Sequence, residues 1–324
     1  MKKLCLATIL LVATIMTTTA QDNFQPSGKP FAKLFGNFHS TFSDGENASA
    51  FELKRAYLGY EYKFSPNWSA KANFDIGNPG VGKHEMAAYI KNAYAKYQKD
   101  GFKLEFGMIS TKQFKVQEKF WGYRYIEKSF QDAYKFNSSA DLGIAATYQF
   151  SKSFSADIII ANGEGYKKIE GDSILRTGIG ATFTPVKGLT LRGYTDFMKD
   201  DATQTSYTAF VGYQVNNFSI GAEYNLQQNN RMREGHDFSG VSFYSTLRLE
   251  KVKLFARFDN LTSEKVENAT EGWNVGRDGQ LILAGFEFSP IRGIKVAPNY
   301  RGWNSKANNQ KFASSFYLNC EIKF

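Results

Sequence analysis

The sequence predicts an all-β chain: a transmembrane antiparallel β-barrel of sixteen strands whose long third loop folds inward. Three observations predict it. Period-two alternation recurs in sixteen segments, and their length of about ten residues suits a tilted strand crossing a bilayer. Tight and longer connections take turns between the segments, as they do when short turns lie at one end of a barrel and long loops at the other. A leader-like stretch precedes the first segment, and the last one closes on an aromatic residue.

The elements follow in order. MKK is a positive start, LCLATILLVATIM a short apolar core, and TTTA before Gln21 ends in small residues. This is the order of a secretory signal, so residues 1–20 are expected to be a signal peptide and 21–324 the barrel domain. Without the leader only Cys320 remains, which excludes an internal disulfide and suggests a small packed apolar side chain. No Pro/Ser-rich linker or long charge block divides the rest, and no apolar run there reaches the roughly 20 residues of a membrane helix.

The sixteen segments are 31–42, 51–64, 67–76, 87–98, 101–109, 141–150, 153–162, 174–184, 188–198, 204–215, 217–227, 239–249, 251–261, 279–289, 292–302 and 311–324. Tight connections read SPN, KDG, SKS, PVKG, NN, EK and SPIRG. The alternate ones are expected to be mostly longer, near 43–50, 77–86, 110–140, 163–173, 199–203, 228–238, 262–278 and 303–310. A soluble sandwich gives no reason for such regularity.

Energy assigns the faces. In 188–198, Leu189, Leu191 and Phe197 oppose Arg192, Tyr194 and Asp196. In 251–261, Leu254, Ala256 and Phe258 oppose Phe255, Arg257 and Asp259, and in 239–249 Phe243, Leu247 and Leu249 oppose Tyr244 and Arg248. An arginine facing mid-bilayer lipid costs roughly 2–4 kcal/mol, so the polar faces must look into a lumen. Beside the tight turns lie Phe64, Trp68, Phe102, Phe150, Phe154, Phe183, Phe218 and Phe288, an aromatic belt at the level of the headgroups. The last segment alternates Phe316, Leu318, Cys320, Ile322 and Phe324 against Tyr317, Asn319, Glu321 and Lys323. Phe324 is expected to serve as the C-terminal signal read by the barrel-assembly machinery, and pairing of the last strand with the first would remove both sheet edges.

One stretch suggests different chemistry. GNPGVGKH at 77–84 is nearly a phosphate-binding loop, with His84 where the magnesium-binding hydroxyl belongs. The run after it, MAAYIKNAYAKY, leads through KDG into another alternating segment and reads as a hairpin strand. The stretch is therefore expected to be a turn-rich outer loop. His39, His84 and His236 lie in separate segments, and HExxH, CxxC and GxSxG are missing, so neither an enzyme nor a cofactor or metal site is expected.

The third long connection, 110–140, is too aromatic for a floppy tail, with Phe114, Phe120, Trp121, Tyr123, Tyr125, Phe130, Tyr134 and Phe136. Its basic residues outnumber its acids six to three. Folded into the lumen, it would place Lys112, Lys115, Lys119, Arg124 and Lys128 along a constricted anion path; folded outside, it would be a cap. The expected lumen wall carries Arg55, Lys71, Lys91, Arg176, Arg192, Arg248, Arg257, Lys295 and Arg301. By alternation, thirteen basic and nine acidic side chains face inward. The formal charge of +9 falls to +7 when Lys2 and Lys3 leave with the leader. A basic patch interleaved with aromatics also suits nucleic acid, but the exported compartment makes that partner unexpected.

Three stretches carry a family resemblance. FELKRAYLGYEYKFSPNWSAKANFD, KNAYAKYQKDGFKLEFGMISTKQF and YIEKSFQDAY…SSADLGIAATYQF, spanning roughly 50–150, resemble the phosphate-selective porin O/P family of Gram-negative outer membranes, in a Bacteroidetes-like form. The resemblance implies a sixteen-stranded homotrimeric porin for anions, with a basic arginine-lined path and lysines at the constriction. This chain is shorter than typical members and mixes many lysines with scattered arginines. Lysine acts as a point charge where arginine binds phosphate bidentately. The expectation is thus passive diffusion of small hydrophilic solutes that leans to anions, phosphate among the possible ones, in a barrel surrounded by outer-membrane lipid. The competing expectations are a plugged barrel that binds a partner through its outer loops (228–238, 262–278) and, behind it, an embedded hydrolase.

Overall fold

The computed structural model describes residues 24–78, 83, 85–308 and 310–324; the expected leader lies outside them. Sixteen strands close into one barrel in which every neighbour is antiparallel. They are β1 Ser27–Ser43, β2 Glu46–Lys63, β3 Trp68–Gly77, β4 Ala87–Lys99, β5 Phe102–Ser110, β6 Ala140–Gln149, β7 Phe154–Ala161 and β8 Arg176–Phe183. The second half comprises β9 Leu189–Lys199, β10 Thr203–Val215, β11 Phe218–Gln228, β12 Phe238–Arg248, β13 Val252–Ser263, β14 Gly279–Phe288, β15 Ile294–Ser305 and β16 Ala313–Lys323. Two short helices, α1 Lys115–Trp121 and α2 Phe130–Ala133, interrupt the third loop. Among the described residues no helix is long and apolar enough to cross a membrane.

Closure is complete because the ends pair. β1 meets β16 from Lys33 opposite Lys323 to Ser43 opposite Ala313, and the Ala32 amide donates to the Phe324 carbonyl at 2.9 Å. No backbone edge is left to face lipid, where an unpaired amide or carbonyl costs several kcal/mol.

The expected faces hold. Leu191, Phe197, Leu254 and Phe243 are exposed, whereas Arg192, Tyr194, Asp196, Arg257 and Asp259 are buried inside. In β16, Phe316 and Leu318 point out and Asn319 and Glu321 point in, and Phe324 just after it is exposed. Of the expected belt, Phe64, Phe150, Phe154, Phe183 and Phe218 are exposed, and Trp68 lies against Tyr97 with 5.1 Å between ring centroids.

The first hairpin departs from expectation. The connection placed at 43–50 is a two-residue turn, with Ser43 opposite Glu46. Asp44 and Gly45 both take left-handed backbone, φ 52° and 81°, which is the tight hairpin geometry that Asp-Gly favours. β1 and β2 therefore run on as a long ribbon of 17 and 18 residues. At 77–84 the chain leaves β3 and the following run is strand β4, as the hairpin reading requires. Residues 79–82 and His84 of that stretch lie outside the described residues, and Lys83 is exposed.

Candidate functional site: the lumen and its third loop

The third loop lies inside the barrel. Phe114, Trp121, Tyr123, Tyr125, Ile126, Phe130 and Phe136 are almost fully buried, although they belong to a connection between strands. Trp121, Tyr123, Tyr125 and Ile126 pack with the inward-facing Phe35, Tyr57, Phe210, Tyr244, Phe255 and Leu283 of the wall. Phe130, Tyr134 and Phe136 pack with Phe238 and Leu261. Burying several aromatics of 150–250 Å² each provides the driving force. Gly122 ends α1 in left-handed backbone, φ 75°, and its amide donates to the Glu118 carbonyl at 3.0 Å.

Wall arginines fix the loop's position. Arg192 Nη2 donates to the Lys112 carbonyl at 2.8 Å, Arg301 Nη2 to the Ile126 carbonyl at 2.8 Å, and Arg257 Nη1 to the Lys128 carbonyl. Each also holds a carboxylate: Asp157 for Arg192, Asp259 for Arg257 and Glu127 for Arg301. Tyr125 adds a hydrogen bond to Glu287 at 3.0 Å. These arginines face inward, and their donors are divided between wall groups and the loop. They form its cradle instead of a continuous ladder along the open path.

The remaining expected wall residues separate by height and side. Lys71 pairs with Glu61 at 2.8 Å, and Lys295 pairs with Glu321 at 2.9 Å and lies over the Tyr125 ring. Arg248 is half-buried at the short-turn end of β12. Arg176 lies near the mouth, 4.0 Å from Asp196 and beside the Met198 sulfur. Arg55 faces the gap the loop leaves open and Lys91 is buried beside it; Arg55 Nη1 is 2.8 Å from Asp75 Oδ2, and Lys91 Nζ is 3.8 Å from the same oxygen.

The loop's own cations do not form one row. Lys112 pairs with Glu105, Lys115 with Glu118 at 2.7 Å, and Lys119 is exposed on α1. Arg124 and Lys128 meet around Asp132, at 2.8 and 3.8 Å, and Arg124 also lies 3.4 Å from Glu118, the partner of Lys115. Burial pushes the Lys128 ammonium down to about 8, against the attraction of Asp132. Against the burial that would raise it, Arg124 and then Lys128 hold the Asp132 carboxyl down to about 2.

Two β-bulges shape the gap. Phe35 faces Arg55 but Gly36 faces Leu53, so Lys54 is the extra residue in β2. Asn73 faces Asn92 but Phe74 faces Ile90, so Lys91 is the extra residue in β4. A bulge lets successive residues share a face, and each one here adds a lysine beside an inward neighbour. Alternation overlooked Lys54. The signal was present, because Leu53 and Leu58 both point outward at an odd spacing, which requires one inserted residue.

The gap has two compartments. At the long-loop end a cavity of about 690 Å³ is lined by Arg55, Arg124, Lys128, Lys135, Lys167, Lys168, Arg176, Arg231 and Arg277 against Asp132, Glu164 and Asp172. Below it, a throat of about 200 Å³ is lined by Phe35, Lys54, Arg55, Tyr57, Arg124, Tyr125, Ile126, Glu127 and Lys128. Arg55, Arg124 and Lys128 line both. The excess of cations comes from four separate loops, and strand alternation has no access to that convergence. Lys167 belongs to it, over the Tyr89 ring at 5.3 Å; burial and then Arg55 push its ammonium down to about 8.

Comparison with known proteins gives a consistent fold. The profile of a family described as "Phosphate-selective porin O and P" matches residues 28–238. No curated protein sequence matches the chain. The outer membrane channel DcaP of Acinetobacter baumannii is similar in structure, with TM-score 0.65 and 10% identity over 95% of this chain and 99% of that one. Salmonella typhi OmpF in complex with daunomycin gives 0.68 and 13% over 92% and 97%. A trimer form of Vibrio cholerae OmpT, an outer membrane protein, gives 0.59 and 15% over 93% and 100%. At such identities the likeness shows the fold.

Proposed function

The chain belongs to the phosphate-selective porin O and P family, an outer-membrane porin by that membership, and from this premise we propose that small hydrophilic solutes diffuse passively through its lumen with a lean toward anions. The observation that carries the reading is the charge around the open gap. Nine basic side chains against three acids line the outer cavity, and Arg55, Arg124 and Lys128 continue into the throat. Within a Debye length of about 8 Å at physiological salt, fixed charge at a narrowing acts on a passing ion with little screening. Rings of lysine and arginine favour anions there.

In this reading the path runs through the throat, between Arg124 and Lys128 on the loop and Lys54, Arg55 and Tyr57 on the wall. Of the cations expected at the constriction, Arg124 and Lys128 take that role, whereas Lys112, Lys115 and Lys119 act as background charge. Much of the throat's charge is already neutralised by Asp75, Asp132 and Glu127. A moderate anion preference follows, without a dedicated phosphate site. Membership of a porin family and likeness to channels point to a non-enzymatic pore. A leader at 1–20, Phe324 as the assembly signal and a homotrimer complete the proposal; one similar structure is a trimer form.

Reconstitution in planar bilayers under a KCl gradient tests it. The reversal potential should take the anion-selective sign, and added phosphate should lower chloride current only weakly. A cation-selective reversal potential, or the absence of channels, would refute the reading.

A further inference from the structure

We propose that Tyr166, carried into the lumen by the connection between β7 and β8, is a specificity-determining residue of the pore, a second inward element facing the third loop. The inference rests on the pore reading above and adds an uncharged residue that the reading does not use. Tyr166 Oη donates to Asp75 Oδ2 at 3.1 Å, across 91 residues of sequence. Arg55 Nη1 reaches that same oxygen at 2.8 Å, and Lys91 Nζ lies 3.8 Å from it. Lys91 is in turn held between two rings, 5.0 Å from the centroids of both Tyr57 and Tyr166. Tyr89 stands beside Tyr166 at 5.8 Å and accepts from Arg55.

The connection is built to hold this position. The Tyr166 amide donates to the Ala140 carbonyl at 3.0 Å, and the Gly163 amide to Asp141 Oδ2 at 2.7 Å. Gly165 takes left-handed backbone, φ 82°, against Ser138, where a Cβ would collide at 2.4 Å. The ring therefore forms part of the cavity wall beside Arg55, Arg124 and Lys128.

Two consequences follow. The ring takes up room in the outer cavity, whose lining it shares with Arg55, Arg124 and Lys128. The hydroxyl takes up part of the single Asp75 carboxylate, and so sets how much negative charge offsets Arg55 and Lys91. An anion entering the throat meets Arg55, whose counter-charge on Asp75 is shared with Lys91 and with a phenol.

Single-channel recording on the full chain separates these effects. Tyr166→Ala should raise conductance detectably, since it removes a ring from the wall of the cavity through which ions reach the throat. Tyr166→Phe keeps the ring and should leave conductance unchanged, while the freed Asp75 lone pair moves the reversal potential toward cations. Tyr166→Cys, treated from the outer side with a cationic methanethiosulfonate, should lose current on labelling, with the wild type and its Cys320 as control. Unchanged conductance in Tyr166→Ala together with label-insensitive current in Tyr166→Cys would overturn the proposal. Lys54→Glu is the reference arm. If it shifts the reversal potential while the Tyr166 variants stay silent, the pore reading stands and the role of Tyr166 falls. If Lys54→Glu is silent as well, the throat is not the path.

Discussion

Arg301 reaches from the wall to Glu127 in the third loop, a 2.8 Å ion pair whose guanidinium stacks over the Tyr317 ring at 3.8 Å. Its second nitrogen donates to the Ile126 carbonyl. One wall side chain thus fixes both the backbone and the charge of the third loop. Replacing Arg301 with alanine leaves Glu127 without that partner, at a cost of about 3 kcal/mol. Urea unfolding in liposomes should show this loss, with noisier single-channel currents at unchanged reversal sign.

Trp121 is the largest side chain anchoring the loop, edge-on to Tyr244 and Phe255 with Arg257 over its face. Trp121→Ala leaves a cavity worth about 3–5 kcal/mol. The measurable outcome is a lower unfolding midpoint together with a larger, less uniform conductance, because the loop loses its main apolar hold.

Selectivity should depend on pH. Lys128 and Lys167 both have ammonium groups pushed down to about 8 by burial. A base with a lowered pKa is charged below that value and neutral above it. Anion preference should therefore be full at pH 6 and fall as pH rises through 8. Reversal potentials between pH 6 and pH 9 check this, and Lys128→Arg should flatten the profile because a guanidinium stays charged throughout.

The lipid face should tolerate no charge. Leu254 and Arg257 lie on opposite faces of β13, with Leu254 exposed and Arg257 buried. Leu254→Arg should destabilise the barrel by about 2–4 kcal/mol, read as a lower urea midpoint for folding into vesicles. The polar substitution Arg257→Gln, on the lumen side, should leave insertion intact and loosen the loop instead.

Most of the fold was legible because a membrane-spanning strand must repeat its pattern every two residues, and lipid penalises any slip. Leu191 against Arg192, or Leu254 against Arg257, shows the inside and outside without reference to a partner strand. The first hairpin was less legible, because the ribbon formed by β1 and β2 ends on an exposed Asp44-Gly45 turn where that penalty has faded. The placement of the cations was legible only in outline. Arg124 and Lys128 occupy the gap, but Arg192, Arg257 and Arg301 look identical to open-path cations in sequence and differ only in what the loop places against them. Lys54 was hidden by a bulge that breaks the period, and Tyr166 by a connection that the pattern leaves blank.

By itself, then, the sequence determined the strand number, the inward and outward faces, the closing strand and the aromatic third loop, all of which follow from local periodicity and the solvent on each side. The tertiary structure alone decided which cations line the cavity in the lumen. That depends on where the loop rests in the lumen, on two one-residue bulges, and on contacts such as Tyr166 with Asp75 between residues far apart in the chain.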